Sequence, residues 1–145
     1  MNQPTYKIQV NEENTYSFIS VGRRGLILKV VRFDEIESDI FNLGFGDFDF
    51  ERQTLSDSIV SDNGDIEKIL ATVVLILNDF LQNNPKFSVF IVGSTLSRTR
   101  LYQIAINRYY EDFKVYFEIF GFKNSDFEIF QKNVNYESFL VRKML

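Results

Sequence analysis

The sequence predicts an α+β fold: a single domain over residues 1–145, with a mostly antiparallel sheet of about six to eight strands and two main helices. Several short apolar segments are separated by polar or glycine-containing turns, which is typical of antiparallel strands. Two longer segments repeat their apolar residues with helical periodicity. A chain of 145 residues is long enough to bury one hydrophobic core, and no linker or repeat divides it.

The first helix is predicted over about residues 64–83. Apolar residues between Ile66 and Leu81 occupy about half of the helical circumference, so this face is expected to pack on the sheet. The Asn-Asn-Pro segment at 83–85 then ends the helix. The candidates for its N-cap are three polar residues of the preceding turn, Ser61, Asp62 and Asn63.

The second helix is predicted over about residues 95–110. It follows an apolar strand and Gly93, which permits a sharp reversal of the chain, and either Ser94 or Thr95 can cap its start. The predicted strands cover residues 5–10, 16–21, 26–33, 40–53, 90–92, 115–122, 127–130 and 136–142. Residues 34–39 are expected to be a polar link, and residues 22–25 a four-residue hairpin tip.

The composition narrows the functional classes. The chain contains no cysteine and no histidine, which excludes disulfides, thiolate nucleophiles, imidazole bases and nearly all zinc sites. A net charge of −4 argues against a general nucleic-acid coat or an anionic membrane surface as the main partner. We expect no cofactor, and a protein that is not an enzyme is favoured. Without an apolar run of transmembrane length or a secretion signal, a cytoplasmic location is predicted.

The segment from Ser94 to Arg100 is the strongest candidate for a binding site. A capped helix start presents free backbone amides and the positive end of the helix dipole, both of which favour phosphate or carboxylate groups. If Thr95 is the cap, Arg98 falls near the middle of the apolar arc of the helix, whereas Arg100 lies on its wet side. We therefore predict an anion site formed by four residues, Ser94, Thr95, Arg98 and Arg100.

Each group of arginines also has a purely structural interpretation. Arg98 can form an internal ion pair with a carboxylate, which is the usual fate of a buried charge and is favoured over a ligand-binding role. Arg23 and Arg24 at the hairpin tip can reach a phosphate, but exposed tips are ordinarily charged, and a solvated loop is the simpler interpretation. The sequence leaves both alternatives open.

An acidic face supplies a weaker candidate for a metal site. Asp47, Asp49 and Glu51 share one side of an extended segment, and such carboxylates can hold a divalent cation. The simpler interpretation is a strand that leaves the core for water. In the metal interpretation the protein is a Mg²⁺-dependent phosphoester hydrolase or nuclease that uses Asp47, Asp49 and a third carboxylate, Asp65, with Arg98 stabilising the phosphoryl charge.

Several motifs together resemble a small uncharacterised bacterial domain family of the Bacteroidota type. They are the glycine-rich hairpin from Tyr16 to Phe33, the NLGFGD segment at 42–47, the Ser-Asp-Asn-Gly-Asp helix start at 61–65, the GSTxxRTRLY segment at 93–102, and YESFLVRK at 136–143. The resemblance implies a bacterial, cytoplasmic, single-domain protein. That family has no assigned activity, so the resemblance transfers no functional residue.

Three hypotheses follow. The leading one is a non-catalytic binding or regulatory module that recognises an anionic group, in a nucleotide or a nucleic-acid backbone, near Ser94–Arg100. The second is the Mg²⁺-dependent hydrolase. The third is a homo-oligomer, most simply a homodimer, that associates through the aromatic strand at 115–122.

Overall fold

The computed structural model describes residues 4–56 and 63–144, and within them it confirms the α+β class. Nine strands form one sheet in this part of the chain, one more than the upper end of the predicted range. The strands are β1 (Gln9–Val10), β2 (Thr15–Gly22), β3 (Gly25–Glu37), β4 (Ile40–Asp49), β5 (Thr54–Ser56), β6 (Ser88–Ile91), β7 (Phe117–Lys123), β8 (Asp126–Ile129) and β9 (Ser138–Lys143). The two helices are α1 (Ile66–Asn83) and α2 (Leu96–Phe113).

The strand order is β1-β2-β3-β4-β6-β9-β7-β8, and β5 pairs with β4. All pairings are antiparallel except that of β4 with β6, which is parallel and runs from Ile40 and Ser88 to Asn42 and Phe90. Because β4 and β6 are parallel neighbours, the chain crosses over between them, and α1 lies in that crossover. Beyond Asn42 the described part of β6 no longer accompanies β4, so the sheet opens at this point.

The register places one face of the sheet against both helices. A row of buried residues crosses four strands, since Phe41 pairs with Val89, Val89 with Val141, and Val141 with Ile119. The helices cover this face with apolar side chains of α1 (Ile69, Val73, Ile76, Phe80, Leu81) and of α2 (Tyr102, Ala105, Tyr109). Neither of these described helices is both long enough and apolar enough to cross a membrane.

Two local predictions were wrong. The expected polar link at 34–39 is instead a continuation of β3 to Glu37, followed by a tight turn in which Asp39 has a φ of 64°. The charged residues are accommodated because β4 supplies backbone partners while their side chains stay exposed at the end of the sheet. The strand expected at 5–10 is limited to β1, since the backbone N–H of Tyr6 donates to the hydroxyl of Thr72 on α1.

The predicted hairpin tip is tighter than expected. Gly22 pairs with Gly25, so the loop consists of Arg23 and Arg24 alone. Gly25 has a φ of 87°, a left-handed conformation that suits glycine. The tip rests on Asn63, whose backbone carbonyl accepts from the N–H of Arg23 at 3.3 Å.

We expect Gly121→Ala to lower the free energy of unfolding by about 1–3 kcal/mol, the usual cost of overfilling a packed core. A Cβ on Gly121 would lie 2.3 Å from the ring of Tyr136, which packs directly on the strand. The measurement is equilibrium denaturation. Gly44→Ala is the matched control, because a Cβ there meets no atom closer than a carbonyl oxygen at 3.6 Å. Equal stability of the two variants would contradict this close packing.

Candidate functional site

A cavity of about 270 Å³ lies between the first halves of α1 and α2 and the inner face of the sheet. Most of its wall is apolar, and four residues bring polar or charged groups to it. The apolar wall residues are Phe45, Ile66, Ile69, Leu70, Leu101 and Tyr102, and the polar ones are Lys29, Asn63, Asp65 and Arg98. A mostly apolar cavity with a few converging polar groups is the usual form of a small-molecule site.

The turn between β6 and α2 positions the arginine. Thr95 is the N-cap of α2, as predicted, and its hydroxyl accepts from the backbone N–H of Arg98 at 3.2 Å. Gly93 donates its N–H to the hydroxyl of Thr99 at 3.0 Å. A Cβ on Gly93 would lie 2.4 Å from the backbone nitrogen of Thr99, so only glycine allows the strand end to approach the helix this closely.

Arg98 points inward, as its place on the helix predicted. The residue is only 5% exposed and lines the cavity. Its contacts include a hydrogen bond from Nη1 to the carbonyl oxygen of Phe45, and its guanidinium carbon lies 5.7 Å from the centroid of the Phe45 ring. The carbonyl belongs to the stretch of β4 beyond its pairing with β6, so Arg98 joins the start of α2 to the open part of the sheet.

Lys29 is a second buried cation in the cavity wall. It is 3% exposed, and its Nζ donates to Oδ1 of Asp47 at 2.5 Å. The two residues are direct partners across β3 and β4. Asp47, one of the two carboxylates predicted to bind a metal, therefore neutralises Lys29 in this structure.

Asp65 ties the start of α1 to other elements. It occupies the N-cap position but makes no side-chain capping bond to its own helix. Its Oδ2 accepts instead from the hydroxyls of Tyr6 and Ser20, both at 2.5 Å, while its Oδ1 is buried and accepts no hydrogen bond from the described residues. Burial raises the pKa of Tyr6, and the hydrogen bond to Asp65 raises it further.

Asn63 links the hairpin tip to the cavity wall. Its side-chain nitrogen donates to the hydroxyl of Ser20 at 3.1 Å and to the carbonyl of Gly25 at 3.0 Å, and its Oδ1 accepts from the N–H of Arg24 at 2.6 Å. Asn63 was predicted as a possible cap of α1 but serves this connection, and the other two candidates, Ser61 and Asp62, lie outside the described residues.

The structure brings together only part of the predicted anion site. Arg98 lies at the cavity, whereas Arg100 is exposed and, two residues further along α2, lies about 200° around the helix axis. Ser94 and Thr95 form the exposed turn before α2. Arg23 and Arg24 are exposed at the hairpin tip beside the Asn63 wall. The arginine side chain of Arg23 lies along Gly64, where a Cβ would be 3.5 Å from its Nε.

Asp49, the other predicted metal ligand, shapes the turn after β4. Its Oδ1 accepts from the backbone N–H groups of Glu51 at 3.0 Å and Arg52 at 3.2 Å. Within residues 4–56 and 63–144, no group of three or more acidic side chains is arranged to hold a metal ion.

The sequence reasoning missed Lys29 as a site residue. A signal was present, because Lys29 interrupts the inward-facing row of β3, where Val31 and Phe33 are buried apolar residues. A charge at an inward position predicts a buried partner or a ligand in the same way as Arg98.

A family of unknown function, DUF6934, matches residues 2–144 of the chain. The chain belongs to DUF6934. This membership confirms the resemblance to an uncharacterised domain family. No curated protein matches the chain, and no solved structure does. The cavity and its charged residues are therefore the basis for a functional assignment of this DUF6934 protein.

We expect Asp47→Ala to lower the free energy of unfolding of this DUF6934 protein by about 3–5 kcal/mol, because it leaves the ammonium of Lys29 buried without its partner. Adding Lys29→Met should recover much of that loss. The measurement is a double-mutant cycle by equilibrium denaturation. The control is Asp34→Ala, which breaks the exposed pair with Arg32, 50% and 53% exposed, and should cost less than about 1 kcal/mol. Additive losses for Asp47 and Lys29 would show that the pair is not coupled.

Proposed function

We propose that this protein is a non-catalytic binding module that takes an anionic group into the cavity between α1, α2 and the sheet. The observation that carries the proposal is the presence of two cationic side chains, Lys29 and Arg98, in one largely apolar cavity wall at 3% and 5% exposure. Burying a cation is costly, and placing two of them around the same space favours a negative charge within it.

Unused hydrogen-bonding capacity supports the proposal. A lysine ammonium carries three donor hydrogens, and the described part of the chain shows one hydrogen bond from Nζ of Lys29, to Asp47. An anionic group in the cavity would accept from the remaining donors. Such charge-assisted hydrogen bonds are about twice as strong as neutral ones.

The position in the fold supports it as well. In sheets with parallel strands and crossover helices, ligands bind where neighbouring strands part at their carboxyl ends. The parallel pairing of β4 and β6 ends at Asn42 and Phe90, and Arg98 enters at the opening that follows. The binding position that we propose is therefore next to the predicted Ser94–Arg100 segment, but on its inner side.

Catalysis by Mg²⁺ through Asp47 and Asp49 receives less support from the geometry. Asp47 is engaged with Lys29 and Asp49 with a backbone turn. The bacterial and cytoplasmic setting stays a prediction from the sequence.

A second candidate function, self-association, is favoured by the outer face of the sheet. The described helices pack on the opposite face, and this outer face carries exposed aliphatic and aromatic side chains, among them Ile19, Leu26, Phe127 and Ile129, which are 50%, 72%, 44% and 71% exposed. Its central charges are paired within one chain, Arg32 with Asp34 and Glu118 with Arg142. A second copy would therefore meet no net repulsion there, so we propose a homodimer through this outer face.

The aromatic strand contributes to this face only in part. Phe117 is 2% exposed and belongs to the core, whereas Phe120 and Phe122 alternate with it and line the outer face. The homodimer that we propose therefore uses the alternate residues of β7 together with the exposed residues of β2, β3 and β8.

For the binding function, we expect an anionic compound to raise the melting temperature of the wild-type protein in a manner that depends on Arg98. The panel contains inorganic phosphate, AMP, a short oligonucleotide and a set of organic carboxylates. Arg98→Met should weaken binding about tenfold or more, since a hydrogen bond to a charged group contributes about 1.5–3 kcal/mol. Arg100→Met removes a nearby exposed arginine and should leave binding unchanged.

The stability of Arg98→Met has to be measured beside its binding, because the substitution also removes the donor to Phe45. The double variant Lys29→Met/Asp47→Ala removes the other cation together with its partner and serves as the second test. Equal binding by the wild type and both of these variants, or no response to any anion, would refute the proposed function.

For self-association, we expect a concentration-dependent dimer in analytical ultracentrifugation. Leu26→Glu places a charge on the outer face and should shift the protein to the monomer. Leu96→Glu is the matched control, because Leu96 is 69% exposed, close to the 72% of Leu26, but lies on α2. A wild-type protein that remains monomeric at the highest soluble concentration would refute the homodimer.

A further inference from the structure

We infer that the ligand is a single-ring organic acid, that is, one apolar ring bearing one small acidic group. This inference rests on the proposed function and names the class of molecule that the same cavity selects. Three features of the described residues carry it: the size of the cavity, the distribution of apolar and charged groups around it, and the depth of the two cations.

The size limits the ligand to about one ring with a short arm. An apolar cavity of about 150 Å³ is sufficient for benzene. The cavity here has about 270 Å³, just below the lower end of the range for drug-sized ligands, which is about 300 Å³. A nucleotide adds a sugar and a phosphate to its ring system and exceeds this room.

The walls separate an apolar end from a charged end. On the helical side, Ile66, Ile69 and Leu70 of α1 face Leu101 and Tyr102 of α2. This part of the wall has no charged side chain and suits an apolar ring. On the sheet side lie Lys29 and Arg98, which suit the acidic group.

Aromatic rings in the wall favour a planar partner. Phe45 carries the guanidinium of Arg98 at 5.7 Å from its ring centroid, and the ring of Tyr102, 6% exposed, forms part of the α2 wall. Aromatic groups attract one another in offset or edge-to-face geometry beyond their hydrophobic burial. A ring with an acid group can contact both an aromatic side chain and a cation in this space.

The depth of the cations argues against a polymeric anion. A nucleic-acid backbone is bound mainly by exposed lysines and arginines that release its counterions. Lys29 and Arg98 are 3% and 5% exposed, so an acidic group reaches them only by entering the cavity. The exposed arginines of the hairpin tip, Arg23 and Arg24, lie outside it.

The experiment measures binding to the full chain by isothermal titration calorimetry. The ligands are benzoate, phenylacetate and 3-phenylpropionate, which lengthen the acidic arm in steps, with benzyl alcohol as an uncharged ring, and AMP and inorganic phosphate as other anions. We expect at least one of the three ring acids to bind about tenfold or more tighter than benzyl alcohol, AMP and phosphate.

A pair of matched variants tests whether binding occurs in this cavity. Ile66→Trp fills the cavity from a position that is 41% exposed, so the larger side chain is tolerated at the helix surface, and it should weaken the ring acids about tenfold or more. Ile104→Trp makes the same change on α2 at a position that is 46% exposed and does not line the cavity. It should leave binding unchanged.

The outcomes separate this inference from the proposed function. Binding of AMP or phosphate that depends on Arg98, without binding of the ring acids, overturns the inference and leaves the proposed function standing. Equal affinity for benzyl alcohol and the acids overturns it too, since the charge is then not recognised. Ring acids that bind Ile66→Trp as tightly as the wild type place their site elsewhere and overturn it. No response to any anion overturns both.

Discussion

The hydrogen bond from Arg98 to the carbonyl oxygen of Phe45 is the contact on which the site depends. Where β4 runs on past its pairing with β6, its carbonyl groups need donors other than those of a neighbouring strand. Arg98 supplies one from the first turn of α2. The same contact fixes the position of α2 over the sheet and holds a guanidinium against the cavity, so a structural requirement of the backbone and a recognition group are met by one side chain.

The polar groups of the cavity are held by separate parts of the fold. Lys29 is fixed by Asp47 across the β3–β4 hairpin, and Asp65 by the hydroxyls of Tyr6 and Ser20. Arg98 is fixed by its place on a capped helix. Because each side chain is already oriented before anything binds, little conformational entropy remains to be lost on binding. The arrangement is typical of a preorganised site rather than of one that forms around its ligand.

The sequence predicted what depends on local pattern. Apolar periodicity located both helices, and the helical angle between Thr95 and Arg98 predicted the burial of the arginine. The sequence did not reveal which strands become neighbours, since the parallel contact of β4 with β6 joins segments far apart in the chain. For the same reason the partner of Lys29 was missed. Asp65 satisfied every local rule for a helix start, yet distant hydroxyls draw its carboxylate away from its own helix.

The origin of the cavity wall has a consequence for the folding reaction. Its charged and aromatic members come from a hairpin, a strand, the start of α1 and the start of α2, at positions 29, 45, 65 and 98. Contacts between such distant positions form late, because the chain must close long loops before they are made. Partly folded chains therefore lack the cavity, and any occupant acts as a selective stabiliser of the completed native state through mass action.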